Sequence, residues 1–171
     1  MNVTGPLSDS SDVQEAAARL LGEHLRVNRV GYAEIEGGQY IIRREYARGV
    51  APLVAQGPVR AFGVALVDAY RRGDTVVVND VRTDPRFAES ERTALQAGQT
   101  AAFIGVTLLK GGRVIAGFGA GNSTPRLWKT VEIELVRDVA ERTWDARNGP
   151  DIGPLRPFGT ERSSWNTGRL S

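Results

Sequence analysis

Cysteine is absent from the 171-residue chain, and with it go disulfides, thiolate nucleophiles, cysteine-ligated zinc and cofactors attached through a thioether. A secreted, disulfide-stapled fold is excluded. Histidine occurs once, as His24, which leaves little material for a histidine-based metal site or a nucleophile–base pair. No apolar run approaches the roughly 20 residues that a membrane-spanning helix needs. The opening residues, MNVTGPLSDSSD, lack the basic and apolar regions of a signal peptide. Charge of one sign is also scarce: 22 basic against 20 acidic residues leave a formal charge of +2. The signs are mixed along the chain rather than gathered into a basic face that tracks phosphates. These absences predict a soluble, cytoplasmic protein with neither nucleic acid nor membrane as partner.

What is present suits one compact domain, since 41% of the residues are hydrophobic. Residues 11–26 carry Val13, Ala16, Ala17, Leu20, Leu21 and Leu25 at helical spacing, with Ser11 and Gln14 placed for a capping box. Residues 28–36 and 39–46 read as strands of a hairpin turning at Gly37-Gly38. Gly49, Pro52, Gly57 and Pro58 then mark an irregular connection. A helix over 61–72, a short β-branched strand over 75–78 and a helix over 88–97 follow. Residues 101–109 and 113–120 form a second hairpin around Lys110-Gly111-Gly112. A long helix over 129–147 carries Val131, Leu135, Val136, Val139, Ala140, Thr143 and Trp144 on one face.

Strands paired in hairpins imply an antiparallel sheet, and two terminal amphipathic helices need a shared apolar surface. The expected architecture is therefore α+β, with both terminal helices on one sheet face and the segment 47–100 covering the other, where it can enclose a cavity. Residues 1–10 read as a flexible start, 11–147 as the domain, and 148–171 as a Pro/Gly/Ser-rich tail without periodicity, in which Phe158 and Trp165 are the residues available to dock.

In that order, the words AARLLGEHLRVNRVGYAEIE, TVVVNDVRTDPRF, FIGVTLLKGGRVIAGF and PRLWKTVEIELVRDVAERTWDA resemble a GAF domain of the kind found in bacterial sensor histidine kinases and phytochrome-like proteins. The resemblance covers residues 12–147. It implies a GAF-like antiparallel β-sheet with N- and C-terminal helices on one face and a small-molecule pocket on the other. It also implies homodimerisation through the terminal helices. Departures from the family are informative. Bilin-carrying relatives attach the pigment through cysteine, and phytochrome-like ones place histidines near it; here cysteine is missing and GFGAGNS puts Gly121 and Asn122 near the expected histidine. Covalent bilin attachment is excluded at the usual residues. The cyclic-nucleotide signature is incomplete: Trp128 and Glu132 fall near its aromatic and acidic members, but its Asp-Glu pair is missing.

The candidate ligand residues are Asp80, Arg82 and Arg86 in the turn NDVRTDPRF, the aromatics Tyr32, Phe62, Phe87 and Phe103, and Thr107. Two readings of the turn stand side by side. Asp80 and Asp84 can simply shape it through backbone N–H bonds, or the arginines can offer forked donors to an anionic or carbonyl-bearing ligand. The aromatics, likewise, serve as core, as cavity wall, or as both. His24 reads as a packing or capping residue, and Glu34 and Glu36 as a solvated strand face rather than an acid–base pair. GFGAG departs from a dinucleotide loop, because the third glycine position is Asn122 and Pro125 precedes the next helix. Small residues in a strand instead let a helix or ligand approach closely.

The expected function is a non-catalytic sensory or regulatory module that binds an unidentified small molecule non-covalently and signals through its terminal helices to a kinase or other output domain. The alternatives are a ligand-free dimerisation module with a filled pocket, and non-covalent bilin, haem or cyclic-nucleotide binding. The cofactor is left unknown.

Overall fold

The computed structural model describes residues 10–53 and 56–148. In chain order these form α1 (Ser10–Leu25), β1 (Arg29–Glu36), β2 (Gln39–Ala47), β3 (Gln56–Pro58), a 3-10 turn (Val59–Phe62), α2 (Val64–Arg72), β4 (Val76–Val78), α3 (Glu89–Ala97), β5 (Ala102–Lys110), β6 (Arg113–Asn122) and α4 (Thr130–Asn148). The strands make one sheet in the order β3-β2-β1-β6-β5-β4, antiparallel at every pairing. The fold is α+β, as expected.

Two hairpins form the body of the sheet. Gly37 and Gly38 have φ of 60° and 76°, and Gly111 and Gly112 have φ of 59° and 79°, the backbone that tight two-residue hairpin turns require and that side chains resist. The hairpins are joined by pairing β1 with β6, which sets Tyr32 opposite Phe118 with ring centroids 4.6 Å apart. Alternate residues then divide between the faces. Val30, Tyr32, Ile104, Val106, Phe118 and Ala120 face one way and are buried against Ala18, Leu21 and Leu25 of α1 and Val136, Ala140 and Trp144 of α4. The Tyr32 hydroxyl donates to the Ala140 carbonyl at 3.1 Å, so its one polar atom is satisfied inside that core. On the opposite face, Leu66, Val76, Val78, Val81 and Phe87 form a smaller cluster over the β4–β5 edge.

The structure departs from the sequence expectations at identifiable places. The helix expected over 61–72 is broken at Gly63, whose φ of 93° and ψ of 156° separate the 3-10 turn from α2. β3 lies in the segment expected to be irregular; it is an edge strand, where Pro58 loses no ladder hydrogen bond. α1 already includes Ser10, so Ser11 is not its cap, and Gln14 is buried at 1% exposure. Leu20 and Val131, expected on the apolar stripes, are 64% and 68% exposed, because each packed stripe is narrower than the periodic pattern. His24 is exposed in the last turn of α1 rather than packed. The expected tail, with Phe158 and Trp165, lies outside the described residues, as do the first nine.

α1 approaches β2 at Gly22, where an added Cβ would collide with the ring of Tyr46. Helix propensity alone makes Gly22→Ala favourable by roughly 1 kcal/mol. The collision reverses the sign, and Gly22→Ala is expected to lower stability by about 1–3 kcal/mol in urea unfolding.

Candidate functional site

The sheet face away from α1 and α4 is bare at its centre. Cross-strand register aligns Gly31, Gly119 and Gly105 in one row across β1, β6 and β5, with Ala33, Gly117 and Thr107 in the next. At Gly117 an added Cβ would find only the Val106 carbonyl oxygen within 4 Å, at 3.8 Å, so nothing packs directly on it. Above this floor is a cavity of about 1160 Å³, walled by Phe62, Leu66 and Tyr70 on one side and reaching Leu53, Leu95 and Phe103 on others. Tyr40, Phe62 and Tyr70 form an aromatic row, with centroids 5.1 Å apart for the first pair and 6.3 Å for the second.

The frame of the hollow is held by Arg29, 5% exposed. Its Nε donates to Glu45 Oε2 at 2.9 Å, one terminal nitrogen to the Gly98 carbonyl at 3.2 Å and Thr100 Oγ1 at 3.1 Å, and the other to the Ala51 carbonyl at 2.6 Å. Glu45 Oε1 also accepts the Leu53 N–H at 3.2 Å, and Gln99 Oε1 accepts the Ala51 N–H at 2.8 Å. Two neighbouring loops at one edge of the cavity are thus tied to each other and to the sheet through one buried ion pair. Nothing in the local pattern singles Arg29 out, because its partners lie 16 to 71 residues away.

The turn at residues 79–87 is built differently from its ligand reading. Asp80 Oδ1 accepts the Arg82 N–H at 3.0 Å and the same residue's Nε at 3.1 Å. Asp84 repeats the device four residues on: its Oδ1 accepts the Arg86 N–H at 3.0 Å and Nε at 2.9 Å. The hydrogen bond from Arg86 holds the Asp84 carboxyl below its ordinary value, and Arg82 does the same for Asp80. Arg86 also donates to the Val77 carbonyl at 2.7 Å, which fastens the turn to β4. Both arginines are engaged with their own turn.

Of the residues read as ligand candidates, Phe62, Phe103 and Thr107 line the cavity, and the Thr107 hydroxyl is given to the Tyr70 carbonyl at 3.1 Å. Asp80, Arg82, Arg86 and Phe87 are not among its lining residues; Phe87 is buried beside Val81 in the smaller cluster. Tyr32 contributes strand backbone, while its ring faces α4. Trp128 and Glu132 also belong to the helical side: Trp128 Nε1 donates to the Val78 carbonyl at 2.9 Å, and Glu132 accepts from Arg126 at 2.8 Å. Glu34 pairs with Arg43 across the hairpin at 3.1 Å. The cavity residues missing from the sequence reading are Tyr40, Tyr70 and the glycines; the alternation of GFGAG was the available signal for the glycines. Burial pushes the Tyr70 phenol above its ordinary value, partly opposed by the charge of Arg86. Among the described residues, no group of three or more His, Cys, Asp or Glu could hold a metal ion, and no helix is long and apolar enough to cross a membrane.

Comparison with known families decides the kinship of this arrangement: the family model of the GAF domain matches residues 9–146. The chain belongs to the GAF domain family. Among curated protein sequences, none matches this GAF domain. Solved structures with the same fold include the blue-light-absorbing form of the Thermosynechococcus elongatus PixJ GAF domain, 18% identical with a TM-score of 0.68 over 96% of this chain and 92% of that one. The photoproduct state of GAF3 from Slr1393 of Synechocystis is 19% identical, with a TM-score of 0.65 over 81% and 92%. A phycocyanobilin-bound GAF domain from a cyanobacterial phytochrome is 13% identical, with a TM-score of 0.70 over 83% and 86%. At these identities the likeness is one of fold.

The paired turn makes the acid limb of this GAF domain's stability predictable. A carboxylate whose folded value lies below the ordinary 3.8 of Asp84 stabilises fully above that value and loses its contribution as pH falls through the folded one. The advantage of the wild type over Asp84→Asn in thermal unfolding is expected to be greatest at about pH 5 and above and to shrink progressively as the pH falls below that. Asp80→Asn is expected to have the smaller effect, since its ion pair is more exposed.

Proposed function

We propose that this GAF domain is a non-catalytic sensory module that binds a small organic molecule, without a covalent link, in the hollow above the glycine rows. The observation that carries the reading is the cavity of about 1160 Å³, floored by strand backbone and walled by apolar and aromatic side chains, at the upper end of the size of small-molecule sites, roughly 300–1,000 Å³, and with their chemistry. The phycocyanobilin-bound neighbour supports an organic ligand in this family. The lack of cysteine directs the proposal to reversible binding.

Signal transmission follows from the shared sheet. A ligand resting on Gly117 and Gly119 touches the strand whose other face carries Ala116, Phe118 and Ala120 into the core beneath α1 and α4. A ligand that prefers one arrangement of β6 thereby biases the terminal helices. We place this chain in the cytoplasm, as part of or related to a bacterial sensor histidine kinase, with its output through α4. Leu20, Leu127 and Val131, at 64%, 80% and 68% exposed, are apolar residues on or beside the terminal helices that the core leaves over. They support homodimerisation through these helices. They are equally the observation behind the second reading, a dimerisation module that binds no ligand.

Native mass spectrometry and absorption spectra of the full chain, purified from its source host, test the proposal. A co-purifying small molecule, released on denaturation, is the expected result. A clean apo dimer, with no thermal shift on adding metabolite extract from that host, would overturn it in favour of the dimerisation reading.

A further inference from the structure

The floor of the hollow has a shape that restricts what can occupy it. Five glycines, Gly31, Gly105, Gly117, Gly119 and Gly121, share one face of the three central strands, although glycine within a strand costs roughly 0.5–1 kcal/mol. Close packing explains only part of this. At Gly105 an added Cβ would strike the Tyr70 hydroxyl, and at Gly119 it would press on the Ile104 carbonyl oxygen at 3.0 Å. At Gly117 and Gly121 an added Cβ would meet its neighbours at 3.8 Å or more, which is ordinary contact. A side chain would fit at those two positions, yet none is present. The result is a shelf of partly exposed backbone at Gly31, Gly117 and Gly119, about 5 Å across β1 and β6 and about 7 Å along β6, from the spacings of a regular sheet, with Tyr70 over Gly105 as its border on β5.

The polar inventory over the shelf is short. Among cations at the cavity, Arg29 is bound to Glu45 and three oxygens of the adjoining loops, while Arg60, Arg71 and Arg113 are solvent-exposed. The Thr107 hydroxyl is committed to the Tyr70 carbonyl. The Tyr70 hydroxyl lies over Gly105 and has no hydrogen-bond partner among the described residues. Its ring belongs to the aromatic row with Phe62 and Tyr40.

Building on the sensory reading above, we propose that the hollow selects a flat, uncharged, fused-ring aromatic molecule. Its ring system lies face-down on the peptide planes of Gly117 and Gly119, its edge meets the aromatic row, and a carbonyl or ring nitrogen accepts the Tyr70 hydroxyl. A three-dimensional aliphatic body of similar bulk cannot contact the shelf over its whole face, and so loses the dispersion that close planar contact supplies. A charged ring would lose its hydration over the shelf, where Glu45 is already paired with Arg29 and Glu91 accepts the Ala88 N–H.

Acridone, planar, fluorescent and carbonyl-bearing, is the probe, and 2-adamantanone, a cage with the same acceptor, is its control. Both are titrated by calorimetry into the full chain, its Gly117→Val variant and its Tyr70→Phe variant, with acridone emission as a second readout. Acridone is expected to bind and 2-adamantanone to show no detectable heat. Gly117→Val is expected to weaken acridone at least ten-fold while leaving the melting temperature unchanged or raised, because valine suits a strand. Tyr70→Phe is expected to weaken it about three- to ten-fold, the worth of one hydrogen bond. Gly117→Ala, with an intermediate loss, guards against misfolding of the valine variant. Equal binding of the two probes, or acridone binding indifferent to Gly117→Val, would overturn the planar-ligand inference and leave a ligand-binding cavity standing. Failure of both probes to bind, joined to a chain that also purifies empty, would overturn the inference together with the sensory reading.

Discussion

The buried guanidinium of Arg29 is the interaction on which the rest of the ligand side depends. At 5% exposure it makes hydrogen bonds to Glu45, Ala51, Gly98 and Thr100. A buried pair of this kind adds little net stability over an apolar replacement of the same shape, but removing one partner strands a charge and costs about 3–5 kcal/mol. Its value here is geometric. The segments around residues 51 and 98 share no strand pairing, and a single planar fork holds both at fixed distances from β1.

A framed but unfilled face makes sense only against the face that is filled. Period-two alternation sends bulky residues of β1, β5 and β6 toward α1 and α4, where they form one continuous core. The same alternation sends glycines, Ala33 and Thr107 the other way. Stability is thereby concentrated on the helical side, with a smaller contribution from the cluster around Leu66 and Phe87. The ligand face is released from packing duty, and the two faces share every strand. In the sensory role proposed, a change in how β6 lies on one side would reach the terminal helices on the other through these shared strands.

Local signals carried much of this in the sequence. The Gly37-Gly38 and Gly111-Gly112 pairs announced both hairpins, because positive φ at successive positions has few other uses. The periodic terminal segments gave α1 and α4, and four short stretches in order carried the resemblance to the GAF family. What escaped depends on distance in the chain. β3 is three residues long and exists only because β2 offers an edge. Gly63 breaks a segment whose apolar periodicity continues across it. The turn containing Asp80 and Arg86 was legible as a turn, with its two readings left open; the choice rested on where each guanidinium swings. Two tandem Asp-X-Arg units satisfy themselves at that point, so the arginines are engaged before any ligand arrives. Arg29 had no local signature, since what marks it is a set of partners drawn from three distant segments.

The central claim is that a glycine floor within a fixed frame leaves real, apolar, open volume on one face of the sheet. Diffraction from crystals of the ligand-free protein held under xenon pressure measures this directly, since the gas settles in apolar cavities and avoids packed interiors. The account predicts xenon density above Gly117 and Gly119, with Phe62 and Tyr70 at the wall. Absence of xenon, with Leu53 or Phe62 folded down onto Gly117 and Gly119, would contradict it.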